Sequence, residues 1–503
     1  MQIGIWISLI LYFGLMLGIG FYAWRKSTSN SEEYMLGGRQ LSPSVAALSA
    51  GASDMSGWLL LGLPGALYAS GLVEAWIGIG LFVGAFLNWI IVAPRLREQT
   101  ERYDNSLTIP EFLAKRFPTR AFALRTISAI VIVVFFAVYT ASGLVAGGKL
   151  YSSAFGDLID LGNAGNYQIG IWLTLGIVLA YTVVGGFLAV SLTDFVQGCI
   201  MMLALVIMPL VVLYSGQGGG FDQAEQTLAG VDPNFLSLTS GLTFVGFLSA
   251  VTWGLGYFGQ PHIIVRFMAV RRVEDVPTAR NIGMSWMAIS LIGAIGVGVF
   301  GRAYAVRNGL DVQDSETIFI VLADLLFHPL ITGFLYAALL AAIMSTISSQ
   351  LLVSSSSLTE DFYRLFFRRN ASDREIVTVG RIAVLAVGLV AAFIAGNPDS
   401  EVLGLVANAW AGFGAAFGPL IILSLTWDRM SGTGAVAGLV TGAVVVGLWI
   451  ALGFNSSFLG GPGVYEIIPG FIAAFLAIIL VSLATQSTNE FRPLPGREPQ
   501  AAE

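Results

Sequence analysis

The sequence predicts an all-α polytopic membrane protein of about 13 transmembrane helices, with its N-terminus outside and its C-terminus inside. Three observations predict this. Hydrophobic residues make up 56% of the 503 and charged residues 11%, where a soluble globular chain carries about 25% charge. Apolar runs of roughly 20 residues, enough to cross a hydrocarbon core ~30 Å thick, recur along the whole length. Finally, the basic residues fall almost entirely on one side of the spans so drawn.

The first run, 3–24, has no basic stretch before it and no A-x-A cleavage site, and Arg25 and Lys26 follow it. It therefore reads as a retained first helix and not a signal peptide. Further spans are expected at 43–69, 71–94, 122–151, 167–187, 190–215, 238–259, 281–303, 326–349, 377–396, 402–426, 433–454 and 465–485. With the N-terminus outside, the inner loops collect Arg25, Lys26, Arg39, the group Arg95 to Arg125, Arg266 to Arg280, Arg364 to Arg381, Arg429, Arg492 and Arg497. Of the 25 Lys and Arg residues only Lys149, Arg302 and Arg307 fall outside, the asymmetry of the positive-inside rule. The outer loop 216–237 carries Asp222, Glu225 and Asp232 and no basic residue, and the tail 486–503 reads as disordered on the inner side.

Composition also narrows the function. One cysteine, Cys199, excludes an internal disulfide framework, and two histidines, His262 and His328, leave no plausible zinc constellation. Both histidines are expected near span ends, beside Pro261 and Pro329. No polar stretch is long enough for an ATPase domain, and no G-x-x-x-x-G-K-[ST] motif is present. Work done by this chain must draw on an ion gradient. No nucleophile–base pair or cofactor loop points to an enzyme, and nothing points to nucleic acid, a resident cofactor or a required protein partner.

Two spans are interrupted. "GASDMSGWLLLGLPGA", residues 51–66, sets Asp54 among glycines, serines and a proline in membrane-grade sequence. A charge at mid-bilayer costs on the order of 2.5–3.5 kcal/mol on insertion scales. One reading is a kinked helix with Asp54 capping a backbone amide. The other is an unwound segment whose free carbonyls face a cavity or an ion, as in ion-coupled transporters. A second interruption, "VTWGLGYFGQPH" at 251–262, lies five spans later. Spans 2–6 and 7–11 can thus form two five-helix repeats, and the odd repeat length makes them point in opposite directions. A third patch, "AAIMSTISSQLLVSSSS" at 341–357, sets Ser345 beside Thr346. Its hydroxyls either bond to carbonyls one turn back or supply ligands to a hard cation such as sodium.

"SAGASDMSGWLLLGLPGAL", "WGLGYFGQPHIIVRFMA", "AAIMSTISSQLLVSSSSLTEDFY" and "AWAGFGAAFGPL" resemble the sodium:solute symporter family in its proline-carrying form, colinearly from about residue 5 to 485. The resemblance implies a LeuT-like fold of two inverted five-helix repeats with extra helices at both ends. It divides the chain into a first helix and inner loop (1–42), a transport core (43–426, with repeats at about 43–215 and 238–426), two C-terminal helices (427–485) and the tail. It implies a sodium site made by the carbonyls of Ala52, Met55 and Ala342 and the hydroxyls of Ser345 and Thr346, with Asp54 supporting sodium affinity. Substrate positions map to Ser56, Gly57, Trp58, Tyr139, Trp253, Tyr257 and Pro261. Individually, these aromatics also suit packing or interface anchoring. Arg39 and Asp194 match positions linked to gating or coupling; a snorkelling arginine and a cap at the start of the sixth span are the alternatives.

The expected function is uptake of L-proline coupled to inward sodium movement across a bacterial plasma (inner) membrane by alternating access. A symporter of the same family for another small solute is the nearest alternative, and a channel or sensor a more distant one.

Overall fold

The structure is a computed structural model and describes residues 2–26, 31–156, 162–216 and 218–485; the predicted tail 486–503 lies outside the described residues. The first half of the chain forms α1 (Gln2–Lys26), α2 (Ser31–Leu36), α3 (Pro43–Asp54), α4 (Leu63–Ser70), α5 (Ala75–Ile91), α6 (Ala93–Arg102), α7 (Ile109–Arg116), α8 (Ala121–Phe155), α9 (Gly162–Tyr214) and α10 (Gly220–Val231). The second half forms α11 (Phe244–Val251), α12 (Pro261–Ala269), α13 (Val276–Arg307), α14 (Ile318–Leu326), α15 (Pro329–Ser356), α16 (Arg364–Phe366), α17 (Asp373–Ile394), α18 (Val402–Thr426), α19 (Gly432–Ala451) and α20 (Ile467–Ala484). A two-stranded ribbon, β1 (Ser457–Phe458) and β2 (Gly461–Pro462), joins the last two helices.

Among the described residues ten helices are long and apolar enough to cross a membrane, with shorter apolar helices at Trp58–Ser70, Ala164–Ala180 and Phe244–Gly259. The chain is a multi-span membrane protein. At 53 residues, α9 is far longer than a bilayer needs. It folds as two helices joined at Gly186, whose φ of 63° is open to glycine at little cost. The junction falls at the boundary between the fifth and sixth expected spans. The acidic loop after α9 is not irregular: Gly220–Val231 is helical, with Ala224 and Leu228 buried.

The two interrupted spans lie antiparallel. At one end Leu41 N–H donates to the Ala269 carbonyl at 3.1 Å and Arg271 N–H to the Leu41 carbonyl at 3.1 Å. At the other end Leu72 N–H donates to the Phe235 carbonyl at 2.8 Å, and the Trp76 indole donates to the Leu238 carbonyl at 2.8 Å. The start of each segment thus meets the end of the other, the inverted arrangement that repeat parity requires.

Close backbone approach locks the second segment against α5. A Cβ on Gly84 would fall on the Gly254 backbone, and one on Gly254 would fall on the Gly80 carbonyl. Crowding of this kind typically costs about 1–3 kcal/mol. Gly84→Ala is therefore expected to lower the thermal unfolding midpoint of detergent-purified protein by several degrees. Gly447→Ala, where a Cβ meets nothing within 4 Å, is the control and should leave it unchanged; equal midpoints for both variants would refute the packing argument.

Candidate functional site

Ser42 caps α3, its hydroxyl accepting from Val45 N–H, and Pro43 follows at the first helical position, where its missing N–H costs nothing. The helix runs to Asp54 and stops. Met55 has φ −78° and ψ 73°, and regular structure resumes as a π-turn over Trp58–Gly62. The carbonyls released by this stop are answered by side chains. Ser345 of α15 donates its hydroxyl to the Ala52 carbonyl at 2.7 Å. Tyr139 of α8 donates to the Asp54 carbonyl at 3.3 Å, and the Trp58 indole donates to the same oxygen at 3.3 Å.

Four of the five predicted sodium donors therefore sit together. Ser345 also reaches the Ala342 carbonyl at 3.2 Å, and the Thr346 hydroxyl donates to that carbonyl at 3.2 Å. The local reading of these hydroxyls holds, and so does a reach across to the other repeat; Ser345 does both. Met55, fully buried, occupies the break itself, three residues beyond Ala52. Neutral carbonyl and hydroxyl oxygens suit a hard monovalent cation, and no group of three or more His, Cys, Asp or Glu gathers for a metal among the described residues.

Asp54 is the last helical residue of α3, and among the described residues its side chain is met by a tyrosine and not by a backbone amide, so the reading of it as an amide cap fails. Its side chain is 2% exposed and accepts a hydrogen bond from Tyr257 of the other interrupted span. Its second oxygen, Oδ1, has no hydrogen-bond partner among the described residues. Asp54 lines a cavity of about 20 Å³ with Met55, Asn88 and Tyr257, room for roughly one water.

The second interruption is a 3-10 segment, Thr252–Gly259, followed by Gln260 in extended conformation and then α12, which begins at Pro261. Tyr257 packs edge-on against Trp410, centroids 5.0 Å apart. The Trp410 indole donates to the Trp253 carbonyl at 2.7 Å, and the Trp253 ring stacks on Tyr465 at 5.2 Å. Around the first break, Ser56 accepts from Trp58 N–H at 3.4 Å, and Gly57 lets α8 approach, since a Cβ there would lie 2.8 Å from the Ala146 Cβ. Ser56, Gly57, Trp58 and Tyr139 thus group at the first break, Trp253 and Tyr257 at the second. The Asp54–Tyr257 bond joins the two groups. Pro261 opens α12 and lines a small cavity with Phe187 and Val265.

Several sequence readings need correction. Asp194 does not cap a helix: it lies inside α9, fully buried, 3.1 Å from the Arg266 guanidinium. Ser49 donates to it at 2.7 Å. Arg266 is likewise not an inner-loop cation. It is fully buried in α12 and also donates to Ser349 Oγ of α15 at 2.5 Å. One ion pair thus holds α3, α9, α12 and α15 together. The isolation of Arg266 among apolar neighbours in "PHIIVRFMA" was the available signal, masked by the arginines that follow it.

Arg39 does not snorkel either. At 6% exposure it donates to Asn105 at 2.7 Å, to the Met268 carbonyl at 2.7 Å and to the Ser106 carbonyl at 2.8 Å. Burial pushes its guanidinium down to about 10, which leaves it charged at neutral pH. His262 follows Pro261 at the start of α12, as expected, and is fully buried, its ring edge-on to Tyr139 at 5.7 Å. His328 caps the start of α15.

Known proteins resemble this chain over nearly its whole length. It is 51% identical over 486 residues to the osmoregulated proline transporter OpuE of Bacillus subtilis, covering 97% of this chain and 96% of the relative. It is 53% identical over 475 residues to the high-affinity proline transporter PutP of the same organism, covering 94% and 97%. It is 49% identical over 494 residues to sodium/proline symporter 2 of Staphylococcus saprophyticus, covering 97% and 94%. Among solved structures, a Na+-coupled sialic acid symporter in a substrate-bound outward-open state superposes with a TM-score of 0.77 at 18% identity, over 98% of this chain and 99% of that one. The nucleobase-cation-symport transporter Mhp1 superposes at 0.57 and 15% identity, over 93% and 97%. The fold is the LeuT-like one that these two likenesses indicate. Residues 34–442 match the sodium:solute symporter family, and the chain belongs to that family.

Proposed function

We propose that this chain is a secondary active transporter, not an enzyme, that carries sodium inward together with L-proline by alternating access in a bacterial inner membrane. The observation that carries the reading is the 2.7 Å bond from Ser345 to the Ala52 carbonyl. It joins donors on two helices 293 residues apart in sequence at a backbone break where carbonyls are free to ligate. The names of the proline-transporting relatives support the substrate.

In this reading Ala52, Met55, Ala342, Ser345 and Thr346 hold sodium, and Asp54 steadies the break through Tyr257. The aromatic group Trp58, Tyr139, Trp253 and Tyr257 encloses the pyrrolidine ring and faces its ammonium, a cation–π attraction of about 0.5–2 kcal/mol. Ser56 and Gly57 lie where free backbone amides receive the carboxylate, and Pro261 sets the start of the second half-helix. The core is 43–426, with repeats at about 43–215 and 238–426, flanked by 1–42 and 427–485. The basic end bearing Arg39 faces inward, and Arg39 clasps the Met268 carbonyl as an inner gate.

The energetics suffice. One sodium with zwitterionic proline carries one net positive charge, worth ~2.3 kcal/mol per 100 mV, and a tenfold sodium gradient adds about 1.4 kcal/mol. Together they support accumulation on the order of 500-fold.

Removing one partner of a buried hydrogen bond costs about 1–3 kcal/mol. Ser345→Ala and Asp54→Asn should therefore each raise the sodium concentration for half-maximal proline uptake in proteoliposomes by tenfold or more. Unchanged sodium dependence in both would remove the site assignment. Wild-type vesicles that accumulate proline equally well without sodium would remove the coupling.

Breaking a buried ion pair by removing one partner costs about 3–5 kcal/mol. Asp194→Asn should accordingly lower thermal stability sharply, and adding Arg266→Gln should restore part of the loss. A double variant no more stable than Asp194→Asn alone would mean that the two residues do not act as a pair.

A further inference from the structure

The segment between α19 and α20 reaches back over the transport core. Trp449 donates to the Val464 carbonyl at 2.8 Å, which shapes the connection. Tyr465 N–H then donates to Ser249 Oγ at 3.2 Å, and the Tyr465 hydroxyl donates to the Ala407 carbonyl at 2.9 Å. The Tyr465 ring lies on Trp253 with an interplanar angle of 27°. These contacts bound an open cavity of about 400 Å³ whose lining includes Glu74, Ser249, Trp253, Asn408, Tyr465 and Glu466.

Two features of the cavity point to a ligand. Its wall carries two carboxylates, Glu74 and Glu466, and, among the described residues, no lysine or arginine. Glu466 is 2% exposed, and its Oε1 is buried with no hydrogen-bond partner among the described residues. A buried carboxylate oxygen left unanswered is costly, and a cation held in the adjoining cavity would offset its charge. Size and lining decide which kind of cation. One water needs roughly 10–15 Å³ by the same measure, so a bare metal ion would leave most of this space unfilled. The stacked Trp253 and Tyr465 rings supply the electron-rich walls that organic ammonium groups prefer.

We infer that Glu466 and Glu74, with the Trp253–Tyr465 pair, form an outer recognition site for the ammonium end of the incoming amino acid. The site precedes the pocket at the helix breaks and is built in part by a segment outside the ten-helix core. It rests on the proposed proline uptake for the identity of its ligand. From its floor, a continuous path of contacts runs through Trp253, Trp410 and Tyr257 to Asp54. Occupancy at the entrance is thereby placed in touch with the break that carries the sodium donors.

The test is initial-rate uptake of labelled proline by the full chain in proteoliposomes at saturating sodium. Glu466→Gln should raise KM about five- to twentyfold while Vmax stays within about twofold, and Glu466→Asp should fall between. Two competitors separate recognition from packing. Pyrrolidine keeps the ammonium and lacks the carboxylate; tetrahydrofuran-2-carboxylate keeps the carboxylate and lacks the ammonium. Glu466→Gln should weaken inhibition by pyrrolidine and leave that by the oxygen analogue unchanged. Glu74→Gln, at a half-buried position, carries the same expectations and decides the matter if Glu466→Gln does not reach the membrane. An unchanged KM, equal loss for both competitors, or a shift in sodium half-saturation without one in proline KM would overturn the inference. Absence of sodium-driven proline accumulation by the wild type would instead overturn the reading beneath it.

Discussion

A peptide carbonyl in a bilayer core has no water to turn to, and each one left unanswered costs several kcal/mol. The stop at Asp54 releases such carbonyls at the centre of the bundle, and much of the surrounding architecture exists to answer them. Ser345 reaches in from α15 and Tyr139 from α8, while Trp58 folds its indole back over the break. Each of these donors sits on an element that must be correctly placed for the bond to form. The break therefore fixes its neighbours as much as they fix it, and a hydroxyl-rich stretch in an otherwise apolar α15 becomes intelligible as its complement.

The two buried acids near the centre are treated differently. Asp194 has a full counter-charge in Arg266 and a donor in Ser49. Charges this deep gain little net stability, since desolvation offsets most of their attraction. What they gain is registry: the pair ties the first interrupted span to the second through α9 and α15. Among the described residues Asp54 has no cationic partner of that kind: the Tyr257 hydroxyl donates to it, and Oδ1 of each acid has no hydrogen-bond partner. An acid left short of positive charge beside a cluster of oxygen donors is the arrangement a transported cation would complete, whereas Asp194 already has its counter-charge in Arg266.

Much of this was legible in the sequence because its physical causes are local. Apolar runs of bilayer length, Gly and Pro at the interruptions, and Ser345 beside Thr346 are all readable without coordinates, and the fold places them as the repeat parity requires. The failures share one cause. Arg266 and Arg39 looked like inner-loop cations because charge counting assigns arginines to water, yet both are buried by partners distant in sequence: Asp194 for one, Asn105 and the Met268 carbonyl for the other. Tyr465 and Glu466 carry no motif of their own, and only the return of the ribbon over Trp253 gives them a role.

The geometry of Ser345 also bears on how one ion can coordinate both repeats. Its hydroxyl donates to the Ala52 carbonyl, so a single proton bridges the first repeat to the second. A sodium ion held by the same group would draw on the lone pairs of both oxygens at once, and the proton would have to turn away, toward the Ala342 carbonyl that Ser345 already touches. The proton bridge and the ion are alternatives for one set of atoms. A neutral hydrogen bond nets about 0.5–1.5 kcal/mol, and contacts with a charged partner about 1.5–3 kcal/mol. In the proposed site, exchange of one for the other would tie the two repeats through the ion. Proline meeting such a pocket, its two walls held by the ion, would have less ordering to supply on its own, and in the proposed function this is how sodium and substrate favour each other.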